Sequence, residues 1–224
     1  MKRDKKISIC ITVKNRSKFP LGNNQYLYLF PRCVESITNA IQVKDNIEIV
    51  ISDWHSTDWP LEEWIDAKLS SIPYKIIKVE GRFHRGTGRN VAADNADGDY
   101  LWFIDADMII NRRIFQNGLA CVRNNKAYFP SCFYFLNPGH TKGFWCGGKG
   151  NCMLTREMYL KIGKWPCPPQ YNRPYHEDIR FFKSFERSGF EVVTEKVNGY
   201  LHQYHPGMSV DEIFTTYKEL VEVA

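Results

Sequence analysis

Short apolar runs alternate with helical segments along the first half of the chain, and this alternation is the feature that most constrains the fold. The apolar runs that predict strands are Ile7–Val13, Ile47–Ser52, Tyr74–Val79 and Tyr100–Ile104. The segments between them that show helical spacing or a helix start are Pro31–Gln42, Ser56–Pro60 and Gly88–Asn95. An unbroken apolar strand is typical of a parallel sheet that is covered on both faces. The sequence therefore predicts an α/β fold with an open, mostly parallel sheet flanked by helices.

The second half of the chain has a less regular pattern, and nothing in it resembles a linker between domains. The predicted helices are Arg112–Asn125, Glu177–Ser188 and Ser209–Val221, and the predicted strands are Ala127–Leu136, which is interrupted, and Asn151–Leu154. Thr155 is expected to cap a further helix. We therefore expect one domain over residues 1–224, with halves of about 1–107 and 108–224.

The charge is mildly basic, since 30 Lys and Arg against 25 Asp and Glu give +5. That balance suits an anionic small molecule or a membrane surface, and the absence of an arginine-rich tract argues against nucleic acid. The sequence has no run long enough to span a bilayer and no secretory signal pattern at its N-terminus. We expect a cytoplasmic protein whose basic N-terminus could make peripheral membrane contact.

Seven cysteines occur without a Cys-x-x-Cys pair, which disfavours a zinc ribbon. An odd number of cysteines is expected to remain as reduced thiols, with Cys10 as a small residue of the core. A disulfide between Cys146 and Cys152 stays an unsupported alternative.

Two aspartates, Asp105 and Asp107, follow the apolar strand Tyr100–Ile104 directly. Ligands of open α/β sheets bind outside the carboxyl ends of the strands, where Asp53 also follows a strand. Residues i and i+2 of an extended segment point the same way, so the two carboxylates can converge. Their oxygens suit Mg²⁺ or Mn²⁺, and such an ion suits a diphosphate. A second Asp-x-Asp, Asp97–Asp99, is interpreted as an ordinary polar turn.

Other polar groups could complete such a site. Arg82, Arg85 and Arg89 precede the aspartate-bearing strand and could neutralise phosphates, although a solvated helix start is an equal alternative. The segment 85–90 lacks the third glycine of a dinucleotide fingerprint and does not follow the first strand, so that interpretation is rejected. Histidines near two aspartates could supply a third metal ligand, and we prefer His202 to His205 because it follows a strand pattern.

Four motifs, in order, resemble inverting family 2 glycosyltransferases of the GT-A fold. They are SICITVKNR, ISDWHSTD, GRNVAADNADGDYLWFIDADM, and GGKGNCMLTREMYLKIGKW followed by HEDIRFFKSFERSGFEV. The last pairing is similar to bacterial chondroitin polymerases and to the galactosyltransferase domains of animal enzymes. The resemblance runs from about Ile7 to about His205. It implies a UDP-sugar donor, a glycan or lipid-linked acceptor, a Mn²⁺ or Mg²⁺ cofactor, and nucleotide-sugar and acceptor halves.

The resemblance also implies a role for each matching residue. The catalytic base would be Asp178, with Glu177 binding acceptor or sugar hydroxyls. The metal would be held by Asp107 and His202. The donor would be bound by Asp53 at the uracil, by Asp105 at the ribose or sugar, and by Gly147 and Gly148 at the sugar. Apart from the resemblance, Arg85 and Arg89 are the candidates for binding its phosphates. Trp145 and Tyr175 are candidates for the acceptor, although ordinary packing explains either one.

Two alternatives remain open at this stage. A sugar-1-phosphate nucleotidyltransferase shares the sheet type, but it would need a glycine-rich loop after the first strand, where this chain has Lys14–Pro20. A catalytically silent nucleotide- or glycan-binding domain would not require both Asp107 and Asp178.

Overall fold

The computed structural model describes residues 5–42, 45–167 and 176–206. The strands are β1 Ile7–Val13, β2 Phe19–Gly22, β3 Gln25–Leu27, β4 Ile47–Asp53, β5 Tyr74–Lys78, β6 Tyr100–Asp105, β7 Met108–Ile109, β8 Ala127–Tyr128, β9 Ser131–Phe135, β10 Gly143–Cys146, β11 Cys152–Thr155, β12 Val192–Val193 and β13 Lys196–His202. The α-helices are α1 Leu29–Ala40, α2 Ile65–Leu69, α3 Arg85–Asp94, α4 Arg112–Arg123, α5 Arg156–Ile162 and α6 His176–Ser188, and a 3₁₀ turn covers Leu61–Glu63.

The central sheet has seven strands in the order β12-β8-β11-β6-β1-β4-β5. Strands β6, β1, β4 and β5 run parallel, and their register pairs Thr12 with Asp105 and Val13 with Asp53. Because parallel strands end at the same edge, Asp53 and Asp105, the last residues of β4 and β6, lie along one edge of the sheet. The predicted α/β fold with a mostly parallel sheet is confirmed.

Helices cover both faces of this sheet, which explains why β1 and β4 are apolar without alternation. One face packs against α1, α2 and α4, and Trp102 of β6 is fully buried there. The other face packs against α3, α5 and α6, through residues such as Phe103, Tyr159 and Phe181. In α6 the inward residues include Phe181 and Phe185, whereas Ile179 is only half-buried.

A second sheet of four strands, in the order β10-β9-β13-β7, lies at the carboxyl edge of the first. The apolar run at 127–136 is therefore two strands that belong to different sheets. The hairpin of β2 and β3 was not predicted from the sequence. Its residues Gly22, Asn23 and Asn24 have φ of 95°, 48° and 59°. Glycine and asparagine tolerate this left-handed conformation, so the hairpin does have a local signal.

Helix α3 begins at Arg85, three residues earlier than predicted. The side chain of His84 accepts a hydrogen bond from the Thr87 amide at 3.2 Å and so caps the helix, a role the sequence analysis did not foresee for histidine. The predicted cap at Thr155 is confirmed by a bond from the Met158 amide at 3.1 Å. The predicted terminal helix Ser209–Val221 lies outside the described residues.

All seven cysteines are free thiols, as expected, and Cys10 is fully buried in the core. The described residues include no helix with the length and apolar character that a bilayer crossing needs. The second Asp-x-Asp is structural, since Asp99 accepts the Lys6 amide at 2.9 Å and Asp97 pairs with Lys75 at 2.8 Å.

Gly88 lets α3 approach the strands that carry the site. A Cβ at this position would lie 2.8 Å from the Thr12 Cβ and 2.9 Å from the Trp54 Nε1. We predict that Gly88→Ala lowers the free energy of unfolding by about 1–3 kcal/mol through overpacking, as measured by urea denaturation. Gly139→Ala is the matched control, since its Cβ would meet no atom closer than 3.5 Å. Equal stability of the two variants would contradict this packing.

Candidate active site

A cavity of about 500 Å³ opens at the carboxyl edge of the central sheet. Seven of the predicted site residues line it, namely Arg85, Arg89, Asp105, Asp107, Gly148, Asp178 and His202. The lining also includes residues that the sequence analysis did not assign to the site, among them Thr12, Asn15, Arg16, Phe83, Tyr134, Gly150 and Asn151. The predicted residues thus come together from β6 and the turn after it, from α3, from the loop before β11, from α6 and from β13.

Asp105 is held by side chains from two other parts of the chain. The side-chain oxygen of Asn151 accepts a hydrogen bond from the Asp105 backbone N–H at 2.7 Å. The side-chain nitrogen of Asn151 donates to the Asp105 Oδ2 at 3.0 Å. The Arg89 guanidinium donates to the other carboxylate oxygen at 2.7 Å. The carboxylate plane is therefore fixed before any ligand binds, and 24% of the side chain remains accessible from the cavity.

Arg89 is the buried cation of this site, with only 2% of its surface exposed. Its Nη1 lies 3.5 Å from the Glu177 Oε1, and its guanidinium stacks over the Trp165 ring at 4.4 Å. Burial opposes the charge, but the carboxylates of Asp105 and Glu177 outweigh that effect and raise the pKa of Arg89. Arg89 therefore links the end of β6 to the start of α6. Arg85 adds a second ion pair to Glu177, at 2.8 Å.

Asp107, His202 and His205 form a cluster of metal-ligand character, since one ligand atom from each lies within 4.8 Å of the others. The Nε2 atoms of His202 and His205 lie 3.4 and 3.3 Å from the two carboxylate oxygens of Asp107. The buried Asp107 Oδ1 and His202 Nδ1 have no hydrogen-bond partner among the described residues. One carboxylate with a buried, unsatisfied oxygen and two imidazoles this close to it fit a divalent cation.

The chain after β13 is tied down so that both histidines reach Asp107. The backbone N–H of Gln203 donates to the Asp107 carbonyl at 2.9 Å. The buried side-chain amide of Gln203 donates to the Leu29 carbonyl, also at 2.9 Å. The His202 ring stacks on Tyr134 with centroids 3.9 Å apart. Both histidines that the sequence analysis weighed against each other therefore belong to one cluster.

The protonation states of Asp107 and His202 suit a cation. Burial alone would raise the pKa of Asp107, but the two imidazoles and the Arg16 guanidinium hold it well below its usual range. Burial lowers the pKa of His202, so its imidazole is neutral near pH 7 and keeps a lone pair available.

Asp178 lies in the first turn of α6, is buried, and lines the cavity. Burial and the neighbouring Glu177 carboxylate raise its pKa, although the two arginines oppose that shift. A carboxylate with a raised pKa is a better proton acceptor than an ordinary aspartate. Glu177 is buried against the arginines instead and is not among the residues that line the cavity.

Some predicted site residues lie elsewhere. Asp53 is fully buried outside the cavity lining, and its carboxylate already accepts the Ser56 hydroxyl at 2.7 Å and the Lys78 ammonium at 2.8 Å. Gly147 and Trp145 also fall outside the lining. Tyr175 lies outside the described residues.

Close packing around the glycine-rich loop singles out a different glycine from those predicted. A Cβ on Gly150 would lie 2.6 Å from the Arg89 Nη2 and 3.2 Å from the Asp105 Oδ2, whereas one on Gly147 or Gly148 would meet nothing closer than 3.8 Å. Gly150 and Asn151 were missed because their partners lie far away along the chain. The Gly-Asn step that enters a strand was the only local signal.

Comparison with known proteins assigns the family. A model of glycosyl transferase family 2 matches residues 8–180. The chain belongs to this family. An uncharacterized glycosyltransferase from Haemophilus influenzae is 26% identical over 154 residues, which cover 59% of this chain and 50% of that relative.

Solved structures of similar fold agree with the family assignment. TarS 1–349 from S. aureus in complex with UDP-GlcNAc has a TM-score of 0.68 and 15% identity, with 97% of this chain and 66% of that one covered. The mannosyltransferase PcManGT from Pyrobaculum calidifontis, in complex with GDP-Man and Mn²⁺, has a TM-score of 0.69 and 15% identity, covering 96% and 61%. The chain thus spans half of its H. influenzae relative and under two thirds of the mannosyltransferase. The GT-A fold predicted from the motifs is confirmed.

The buried pairing of Arg89 predicts a large stability effect. Arg89→Met leaves the Asp105 and Glu177 carboxylates without their buried cation, and we expect a loss of about 3–5 kcal/mol in the free energy of unfolding. Urea denaturation at pH 7 measures it. Arg85→Met is the matched control, because Arg85 contacts the same Glu177 from a position with 29% side-chain exposure, and it should cost less. A loss below about 1 kcal/mol for Arg89→Met would refute the role of this ion pair.

Proposed function

We propose that this chain is a metal-dependent inverting glycosyltransferase that moves a hexosyl or N-acetylhexosaminyl group from a UDP-sugar to a hydroxyl group of a glycan or lipid-linked acceptor. The observation that carries the proposal is the shared cavity. One wall holds the cation-ligand cluster of Asp107, His202 and His205, and the same cavity contains the buried carboxylate of Asp178. A diphosphate donor needs the first feature, and an acceptor hydroxyl needs the second.

The cluster would hold the divalent ion. Mg²⁺ prefers oxygen ligands in octahedral geometry, whereas two imidazole nitrogens beside a carboxylate suit Mn²⁺ better. Such an ion neutralises the charge that develops on a nucleoside diphosphate leaving group. The solved mannosyltransferase of similar fold contains Mn²⁺ together with GDP-Man, which supports the same choice here.

The protein's own residues would do the remaining work. Asp105, fixed by Asn151 and Arg89, would bind a hydroxyl of the ribose or sugar without reorganising. Asp178 would accept the proton of the acceptor hydroxyl as that oxygen attacks the anomeric carbon. The UDP leaves from the opposite face, so one displacement inverts the anomeric centre. Basic side chains in the lining, including Arg16 and Arg85, would attract the diphosphate.

The remaining assignments stay predictions of the proposal. These are the contact of Asp53 with uracil, of Glu177 with hydroxyl groups, of Gly147 and Gly148 with the donor sugar, and of Trp145 and Tyr175 with the acceptor. The division into halves, the cytoplasmic location and the peripheral membrane contact are likewise predictions. For Arg89, its existing pairing with Asp105 supports a positioning role more than a direct phosphate contact.

Incubation with a panel of UDP-sugars and Mn²⁺ tests the proposal, with release of UDP and of free sugar as readouts. Slow donor hydrolysis is expected even without the acceptor, and it should require the metal. Binding of UDP without hydrolysis or transfer would favour a silent binding domain. Formation of a UDP-sugar from UTP and a sugar 1-phosphate would instead identify a nucleotidyltransferase.

The metal cluster predicts how UDP stabilises the protein. At about 100 times its dissociation constant, UDP should add roughly 2.7 kcal/mol to the free energy of unfolding. We expect a lower UDP concentration to give this stabilisation with Mn²⁺ than with Mg²⁺. In His205→Ala the two metals should act alike. Thermal unfolding scans over a range of UDP concentrations measure the melting temperature with each metal. His140→Asn, which changes a histidine outside the cluster, should behave like the wild type. An unchanged Mn²⁺ effect in His205→Ala would exclude that imidazole as a ligand.

The raised pKa of Asp178 predicts opposite effects on activity and stability. Asp178→Asn should reduce the transfer rate by about 10²- to 10⁴-fold, because the general base is lost. Because the ionised carboxylate is disfavoured in the folded state, wild-type stability decreases as pH rises through this pKa. The neutral variant lacks that penalty, so its melting temperature should exceed that of the wild type, by more at neutral pH than near pH 4, close to the ordinary pKa of aspartate.

Activity and melting temperature of Asp178→Asn are compared in the same preparations. A variant that loses both activity and stability would show that Asp178 supports the fold and would remove the base assignment. Wild-type turnover in the variant would also remove it.

A further inference from the structure

Two cysteines face each other across the hairpin of β9 and β10. The antiparallel register of these strands pairs Cys132 directly with Cys146. Among the strand pairs that the structure describes, no other register sets two cysteines opposite each other. Directly opposed residues have Cα atoms about 4.5–5.5 Å apart, within the range of about 4.4–6.8 Å that a disulfide spans. Both residues are free thiols, so their backbone already has the spacing of a cross-linked pair.

The two thiols are reached from the active-site cavity. Each residue is only 5% exposed, yet both are among the residues that line the cavity. The Cys146 sulfur lies 4.0 Å from the position that a Cβ on Gly148 would take, so it borders the glycine-rich loop. Burial raises the pKa of Cys132, which keeps this thiol protonated and disfavours its reaction with large disulfide reagents. A small oxidant that enters the cavity is therefore the reagent that fits this pair.

The disulfide that the sequence left open, between Cys146 and Cys152, does not fit the structure. Cys152 belongs to β11 of the central sheet, where its register partner on β6 is Phe103. It is buried in the core cluster on the α3, α5 and α6 face of that sheet, whereas Cys132 and Cys146 belong to the other cluster. The cysteine that the register places opposite Cys146 is Cys132.

We propose that Cys132 and Cys146 are a peroxide-sensitive thiol pair that closes reversibly into a disulfide and thereby inactivates the site. Hydrogen peroxide oxidises one thiol to a sulfenic acid and leaves one water. The second thiol attacks that sulfur, which forms the S–S bond and releases the sulfenic oxygen as a second water. Two thiols and one peroxide thus give one disulfide and two waters, and two electrons pass from sulfur to oxygen. Because the second thiol is adjacent, oxidation ends at the reversible disulfide rather than at a sulfinic acid.

The crosslink displaces one wall of the cavity. Cβ atoms of opposed residues lie about 4.5–5.5 Å apart, whereas a disulfide holds them at about 3.8 Å, so the two strands must shift by roughly 1 Å. Tyr134 lies on the same face of β9 as Cys132 and stacks on the His202 ring with centroids 3.9 Å apart, so the shift reaches the metal-ligand cluster. A displacement of about 1 Å in an active site can cost on the order of 100-fold in rate. This loss of activity rests on the proposed function.

Peptide mapping after treatment with hydrogen peroxide tests the crosslink, and UDP-sugar hydrolysis after removal of the peroxide tests its effect. We expect the wild type to yield linked peptides that contain Cys132 and Cys146, to lose roughly 10- to 100-fold in turnover, and to recover on reduction with dithiothreitol. Cys132→Ala and Cys146→Ala should form no such link and should each keep their own turnover after peroxide. Cys121→Ala removes a half-buried thiol of α4 and is the control, which should respond like the wild type.

The exposed Cys167 reports that the peroxide has acted. Oxidised Cys167 without a link between Cys132 and Cys146, or a link from Cys146 to Cys152, would overturn the inference. A correct link that leaves turnover unchanged would overturn the inactivation. If the untreated wild type has no activity, the proposed function and the inactivation fail together, while the peptide map still decides the crosslink. Melting temperatures of the untreated variants close to that of the wild type confirm that they are folded.

Discussion

The fixed carboxylate of Asp105 is the constraint on which the rest of the site depends. It ends a buried parallel strand, and a carboxylate in that position needs partners to offset its desolvation. Arg89 of α3 and Asn151 at the start of β11 provide those partners. Since Arg89 also faces Glu177, the same cation ties α6 to the sheet edge and thereby places Asp178 in the cavity.

Charge compensation explains why so many ionisable groups lie buried near one another. Asp105 and Glu177 are balanced by the arginines of α3, and Asp107 by Arg16 and two imidazoles. The second balance differs in kind, because one ligand atom from each of Asp107, His202 and His205 lies within 4.8 Å of the others. A divalent cation would complete it. The first group is thus a structural framework, and the second is prepared for a ligand.

The sequence predicts the parallel strands well because each is a continuous apolar run, and the ends of β1, β4, β5 and β6 differ from prediction by one residue or less. It does not predict the second sheet, because β7, β9 and β10 are short, and both β7 and β9 pair with β13, which lies far along the chain. The aspartates and Asp178 are found through motif order. Neither periodicity nor motif reveals that Asn151 binds Asp105, that His205 joins His202, or that Cys132 faces Cys146. These contacts depend on tertiary distances that a one-dimensional pattern does not contain.

The central claim is that Asp107 and its two histidines form a cation site used together with a nucleoside diphosphate. Electron paramagnetic resonance of Mn²⁺ tests it directly, since free hydrated Mn²⁺ gives a sharp six-line spectrum that is lost on binding. The account predicts that the protein removes one equivalent of this signal, that UDP tightens the binding, and that Asp107→Ala restores the free spectrum. A full free-ion signal in the presence of wild-type protein and UDP would contradict it.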